Sequence, residues 1–224
     1  SRRRATVAER TYAPLRRCAS SSATLPVHRS SPLTTRTMKL AAFAGSARKE
    51  SLNRRLLEAA VAIARARGAE VDLFSLAEFQ LPIFDEDLEA EGFPAGATAL
   101  KERLKAADGF LIASPEYNGG LPALLKNAID WASRRAGDEK SLMAFDGKAC
   151  GLFAASPGRL GGVRMLPHLR VILSGIGVQV APAMFGLHAA HEAFSDDGSL
   201  ADAGAQRFAE SVVDQTLALA ALGR

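Results

Sequence analysis

The chain has 224 residues, 48% hydrophobic and 23% charged, with a formal net charge of +4, which suits one domain with a remainder and a core that needs neither disulfides nor metal. No apolar run is long enough to span a bilayer, so no membrane partner is expected. The positive charge is local: residues 1–37 hold eight arginines, no lysine and one acid, Glu9, leaving 20 basic against 23 acidic residues elsewhere, a net of −3 that gives the rest of the chain no reason to bind nucleic acid.

Residues 1–37 are rich in Arg and Ser and lack a periodic apolar face. Such a stretch cannot bury enough surface to offset the entropy of ordering, so it reads as a disordered basic extension. The favoured reading is extra sequence upstream of a protein that starts at Met38; a transit peptide is second and a nucleic-acid-binding arm third. A secretory signal is not read, because no continuous apolar segment follows the arginines. Two cysteines, Cys18 and Cys150, make neither a disulfide framework nor a zinc site. They fit a reducing compartment, the cytoplasm, or an organelle if the extension is a transit peptide. Cys150, in an apolar run, reads as a buried small hydrophobe.

From Met38 onward, apolar runs alternate with segments of helical period. Lys39–Gly45 reads as a buried strand, and Ser51–Arg67 as a helix closed by Gly68. Glu70–Ser75 is a strand, Ala97–Ala107 a helix and Gly109–Ser114 a fully apolar strand. Leu121–Ser133 is a helix, Lys148–Ala155 a strand, Gly162–Ser174 a helix, Val178–Ala181 a short strand and Ala201–Leu222 a long final helix. Strands apolar on both faces predict a five-stranded parallel sheet covered by helices on both sides, an α/β doubly wound three-layer sandwich over residues 38–224. Ligands in that architecture bind beyond the carboxyl ends of the strands, at the switch point.

Three loops at those ends carry unusual sequences. After the first strand comes G-S-A-R-K-E-S-L-N, Gly45 to Asn53. Ser46, Ser51 and Asn53 offer short polar side chains, Arg48 a charged fork, and the helix start free amides and a positive dipole end. The loop lacks the P-loop Gly-Lys-Ser/Thr and is not G-x-G-x-x-G, so a phosphomonoester fits better than a triphosphate or dinucleotide. Equally, Ser51 could be a simple N-cap among ordinary turn residues. After the third strand comes S-P-E-Y-N-G-G, in which Pro115 and Gly119-Gly120 predict an irregular loop. There Tyr117 is suited to flank a planar ring and backbone groups of Glu116 to Asn118 to meet a heterocycle's edge. The loop after the fourth strand is A-S-P-G-R-L-G-G, Ala155 to Gly162.

G-S-x-R-x-x-S-x-N, followed by P-E-Y-N-G and L-K-N-A-I-D-W, resembles the NADPH-dependent FMN reductase family of flavodoxin-like quinone, azo-dye and chromate reductases. The resemblance runs from Met38 to the C-terminus. It implies a flavodoxin-like fold, FMN as cofactor, NADPH or NADH as co-substrate, and a small electron acceptor such as a quinone, chromate, azo dye or free flavin, served by ping-pong kinetics. It assigns the FMN phosphate to Ser46, Arg48, Ser51, Leu52 and Asn53, and the isoalloxazine border to Pro115, Glu116, Tyr117 and Asn118. It assigns the flavin's other edge to Ser156, Gly158, Gly161 and Gly162, whose missing side chains would leave room for cofactor or nicotinamide. No side chain need be catalytic, because the flavin carries the chemistry. The family also implies a homodimer or homotetramer, with Phe84 a candidate to line a partner's pocket. The competing function is a non-enzymatic flavodoxin-type electron carrier; such carriers have strongly acidic surfaces, against a net of −3 here.

Other features are assigned no chemistry. Asp85, Glu86, Asp87 and Glu89 read as a solvated acidic loop, and Trp131 as core. His188 and His191 fall on one turn if that stretch is helical, but lack a third metal ligand. Arg159 and Arg164 read equally as contacts to the nicotinamide's phosphate or to a second subunit.

Overall fold

The five apolar runs become β1 (Lys39–Ala44), β2 (Glu70–Ser75), β3 (Gly109–Ala113), β4 (Ala149–Ala155) and β5 (Gln179–Leu187) of one parallel sheet, ordered β2-β1-β3-β4-β5. The computed structural model describes residues 36–223, so the expectations placed on residues 1–35 lie outside the described residues. At the start of the described chain, the Arg36 guanidinium pairs with the Asp108 carboxylate, which also accepts from the Lys39 amide at 2.8 Å.

Six α-helices connect and cover the strands: α1 (Leu52–Ala66), α2 (Glu86–Glu91), α3 (Ala95–Lys105), α4 (Ala123–Ser133), α5 (Met165–Gly175) and α6 (Ala203–Leu222). Strand side chains alternate between two cores. Ala41, Phe43, Phe110 and Ile112 pack with Leu100 and Leu104 of α3, Ile129 of α4 and Leu169 of α5. Leu40, Ala42, Leu111 and Ala113 pack on the opposite face with Leu56 and Leu57 of α1 and Val212 of α6. The result is the flavodoxin-like three-layer sandwich. Trp131 of α4 is fully buried, with its indole N–H donating to Pro82 O at 2.8 Å, and Cys150 is buried on β4, where burial pushes its thiol pKa up.

Three expectations change. The last strand runs to Leu187, six residues past Ala181, because Pro182 and Gly186 look like breakers only out of context. β5 is an edge strand, where a proline is tolerated, and the pairing register slips between Cys150 and Leu152, so Pro182 falls in the irregular stretch. The helix after the fourth strand starts at Met165 rather than Gly162, because Gly161 and Gly162 sit at φ 58° and 80°, outside right-handed helical space. The acidic segment is not a loop. Asp85 caps α2 by accepting from the Asp87 amide at 2.8 Å, and Glu89 pairs with Arg134 at 2.7 Å.

Candidate functional site

Strand β1 pairs with both β2 and β3, so the chain changes direction there and the loops leaving β1 and β3 splay apart at the carboxyl edge. Gly45 lets that edge close. Its amide donates to Ala113 O at 2.9 Å, and a Cβ at Gly45 would lie 2.6 Å from Ser114 Oγ. A side chain there would push β1 and β3 apart at the switch point.

The first loop delivers the start of α1 to this crevice. Ser51 is the N-cap, extended at φ −77° and ψ 119°, with Oγ accepting from the Arg54 amide at 3.3 Å. The first amides of a helix have no partner within it and carry the positive end of its dipole. The Arg48 amide donates to Ser46 Oγ at 3.4 Å, and its guanidinium rests on the Glu50 carbonyl. Asn53 behaves otherwise than a free ligand donor. Its Nδ2 donates to Ala155 O at 2.9 Å while its Oδ1 accepts from Ala155 N at 2.8 Å, so the buried side chain clasps α1 to the end of β4.

The second loop is a tight hairpin turn. Asn118 and Gly119 sit at φ 52° and 80°, and Tyr117 and Gly120 exchange two backbone hydrogen bonds of 3.0 Å. Two central residues of positive φ define a type I′ turn, for which Asn-Gly is the preferred pair. The backbone expectation is therefore narrowed: the N–H and C=O of Tyr117 serve the turn, while its ring stands 55% exposed. Glu116 turns inward. Its carboxylate, 8% exposed, accepts from Arg164 Nε at 2.6 Å and from the Arg164 and Met165 amides at 3.1 and 3.3 Å. It caps α5 from another loop, since Arg164 in the N-cap position makes no side-chain cap of its own. Desolvation opposes ionisation of Glu116, but the Arg164 guanidinium and these amides outweigh it and hold its pKa below the ordinary value. Arg164, one of two arginines with no assigned partner from sequence, is thus engaged within its own chain.

The third loop folds back on the sheet. The Ser156 amide donates to Leu187 O at 3.1 Å, and Ser156 Oγ accepts from the Gly158 amide at 3.0 Å. Gly161 and Gly162 are buried against the strands. A Cβ on Gly161 would lie 2.8 Å from the His188 amide, and one on Gly162 would lie 2.7 Å from Ala154 Cβ. Their missing side chains make room for β4 and β5, not for a ligand.

The three loops enclose one open cavity of about 460 Å³. Ser46, Arg48, Ser51, Leu52 and Asn53 line it from the first loop, and Pro115, Glu116 and Tyr117 from the second. Ala155, Ser156 and Pro157 line it from the third. Asn118, Gly158, Gly161 and Gly162 are not in its wall. His191 is, although it belongs to no motif. Its stretch is a turn rather than a helix, so His188 and His191 do not share a helical turn. Phe84 lies elsewhere, its ring edge-on to Trp131 at 5.0 Å and under the Arg134 guanidinium at 5.1 Å.

Helix amides, serine hydroxyls and a guanidinium suit a phosphate dianion, and the neighbouring phenol suits a flat ring. The volume lies in the range of small-molecule sites. A wound parallel sheet with this cradle at its switch point defines the flavodoxin-like class of FMN proteins. The model of the NADPH-dependent FMN reductase family matches residues 38–192. An NAD(P)H-dependent FMN reductase of Pseudomonas aeruginosa is 35% identical over 167 residues, 74% of this chain and 85% of the relative. A quinone reductase of Escherichia coli is 39% identical over 137 residues, 61% of this chain and 69% of the relative. Among solved structures, the NAD(P)H:(acceptor) oxidoreductase FerB of Paracoccus denitrificans superposes with a TM-score of 0.71 at 31% identity, covering 83% of this chain and 98% of that one. The chain belongs to the NADPH-dependent FMN reductase family. It is an FMN-dependent NAD(P)H oxidoreductase rather than a flavodoxin-type carrier.

Proposed function

We propose that the chain carries electrons from NADPH or NADH to a quinone, using FMN held where the three loops meet. The observation that carries this reading is the cradle at the start of α1 opening into the same cavity as Tyr117. FMN bound there would supply the redox chemistry between nicotinamide and acceptor. Around it, the amides at the start of α1, with Ser46, Arg48 and Ser51, hold the phosphate. Tyr117 flanks the ring, and the Asn53–Ala155 and Glu116–Arg164 contacts fix the spacing of the three loops. A quinone is favoured because the Escherichia coli relative is a quinone reductase and because Leu160 and Val163 leave exposed apolar side chains on the third loop. Nicotinamide and acceptor take turns on one open face, which requires ping-pong kinetics.

We assign the chain to homodimers or homotetramers, with Ile83, 77% exposed beside Phe84, as a contact point. We place it in the cytoplasm on its sparse cysteine usage. No helix among the described residues is long and apolar enough to cross a membrane.

The purified protein is expected to be yellow and to release FMN on denaturation. NADPH should bleach the bound flavin within seconds in a stopped-flow instrument, and initial rates with a quinone should give parallel double-reciprocal lines. A colourless protein that takes up no FMN in titration calorimetry would overturn the reading.

A further inference from the structure

We propose that His191 is a further phosphate-binding residue of the cavity, supplied by the connection after β5; the inference rests on the flavin site just described. Two contacts fix where this connection runs. The Ala190 amide donates to Ser156 O at 3.1 Å, tying one end to the third loop. The Phe194 ring lies 4.4 Å from the Arg55 guanidinium, tying the other end to the first turn of α1. Ala190 and Phe194 also pack in the apolar core that takes in Leu52 and Leu56. The chain here forms a turn, the Glu192 amide donating to Ala189 O at 3.0 Å, and His191 lines the cavity together with Ser46, Arg48 and Ser51.

The imidazole has an N–H to offer. His191 Nε2 lies 3.1 Å from Glu192 Oε1, both side chains being exposed, and the imidazole makes no hydrogen bond among the described residues. An imidazole N–H turned into the cavity would donate to a phosphate oxygen. Beside Arg48 it would be a second donor facing a ligand that carries about −1.5 to −2 charges. The position would contribute nothing comparable to a flavin without phosphate, whose ring system Tyr117 would flank.

The test is the affinity of the apo-protein for FMN and for riboflavin, which lacks the phosphate, read from quenching of flavin fluorescence. His191→Ala is expected to raise the Kd for FMN about tenfold, the lower end of what a hydrogen bond to a charged group is worth. His191→Glu should raise it further by setting a carboxylate against the phosphate. The riboflavin Kd should stay within about twofold in both variants. FMN affinity unchanged in both variants would overturn the role of His191 and leave the flavin site standing. Equal weakening toward FMN and riboflavin would overturn it too, by making His191 a structural residue of the loop. Wild-type protein that binds neither flavin would overturn the site itself and the inference with it.

Discussion

Two side chains of the first loop look alike in sequence and do different work. Arg48 is exposed and rests on a local carbonyl, so its removal leaves no buried group without a partner. Asn53 is buried and satisfies both backbone groups of Ala155, more than 100 residues away in the chain. Arg48→Ala should therefore weaken FMN binding by about 1.5–3 kcal/mol, the worth of a hydrogen bond to a charged group, while leaving stability within about 0.5 kcal/mol. Asn53→Ala should lower stability by about 1–3 kcal/mol, because it strands a buried N–H and a buried C=O. Denaturant midpoints and FMN titrations on both variants check the pair. Equal stabilities would show that the Asn53 clasp adds nothing to the fold.

At the scale of elements, α5 begins without a cap of its own and takes one from the turn after β3. That turn carries Tyr117, so capping and ring placement are mechanically linked through Glu116. The linkage depends on pH. Glu116 has a folded pKa below its ordinary value of 4.5, so its contribution is fully present above that value and is lost as pH falls through the lowered one. Glu116→Gln keeps the shape but removes the charge. The stability gap between wild type and this variant should be open at pH 7 and close as acid protonates Glu116 below about pH 4.5. A gap that holds steady through acid titration would exclude the ionised carboxylate as its source.

The molecule presents an open cavity with Tyr117 exposed in its lining, while Leu160, Val163 and, on the connection before α2, Ile83 are exposed apolar side chains. Isolated apolar side chains are ordinary on a monomer, but contiguous ones are typical of a surface that a partner or ligand covers. Light scattering on the purified protein should give the mass of a dimer or tetramer, with one FMN per chain. A monomer with full quinone reductase activity would leave these side chains to the acceptor alone.

The alternation of strands and helices, the doubly wound class and the three loops at the strand ends follow from local sequence, because fully apolar runs alternating with helical periods allow few topologies. Ser51 as an N-cap and Asn118-Gly119 as a turn are likewise written in residue types that few other conformations favour. What lay beyond sequence was every contact between segments far apart in the chain. The Asn53 clasp, the cap that Glu116 lends to α5, the strands packed onto Gly161 and Gly162, and the place of His191 in the cavity wall all depend on which elements meet. No local period or propensity encodes such meetings. They appear only once the wound sheet brings β1, β3, β4 and the connection after β5 to one edge.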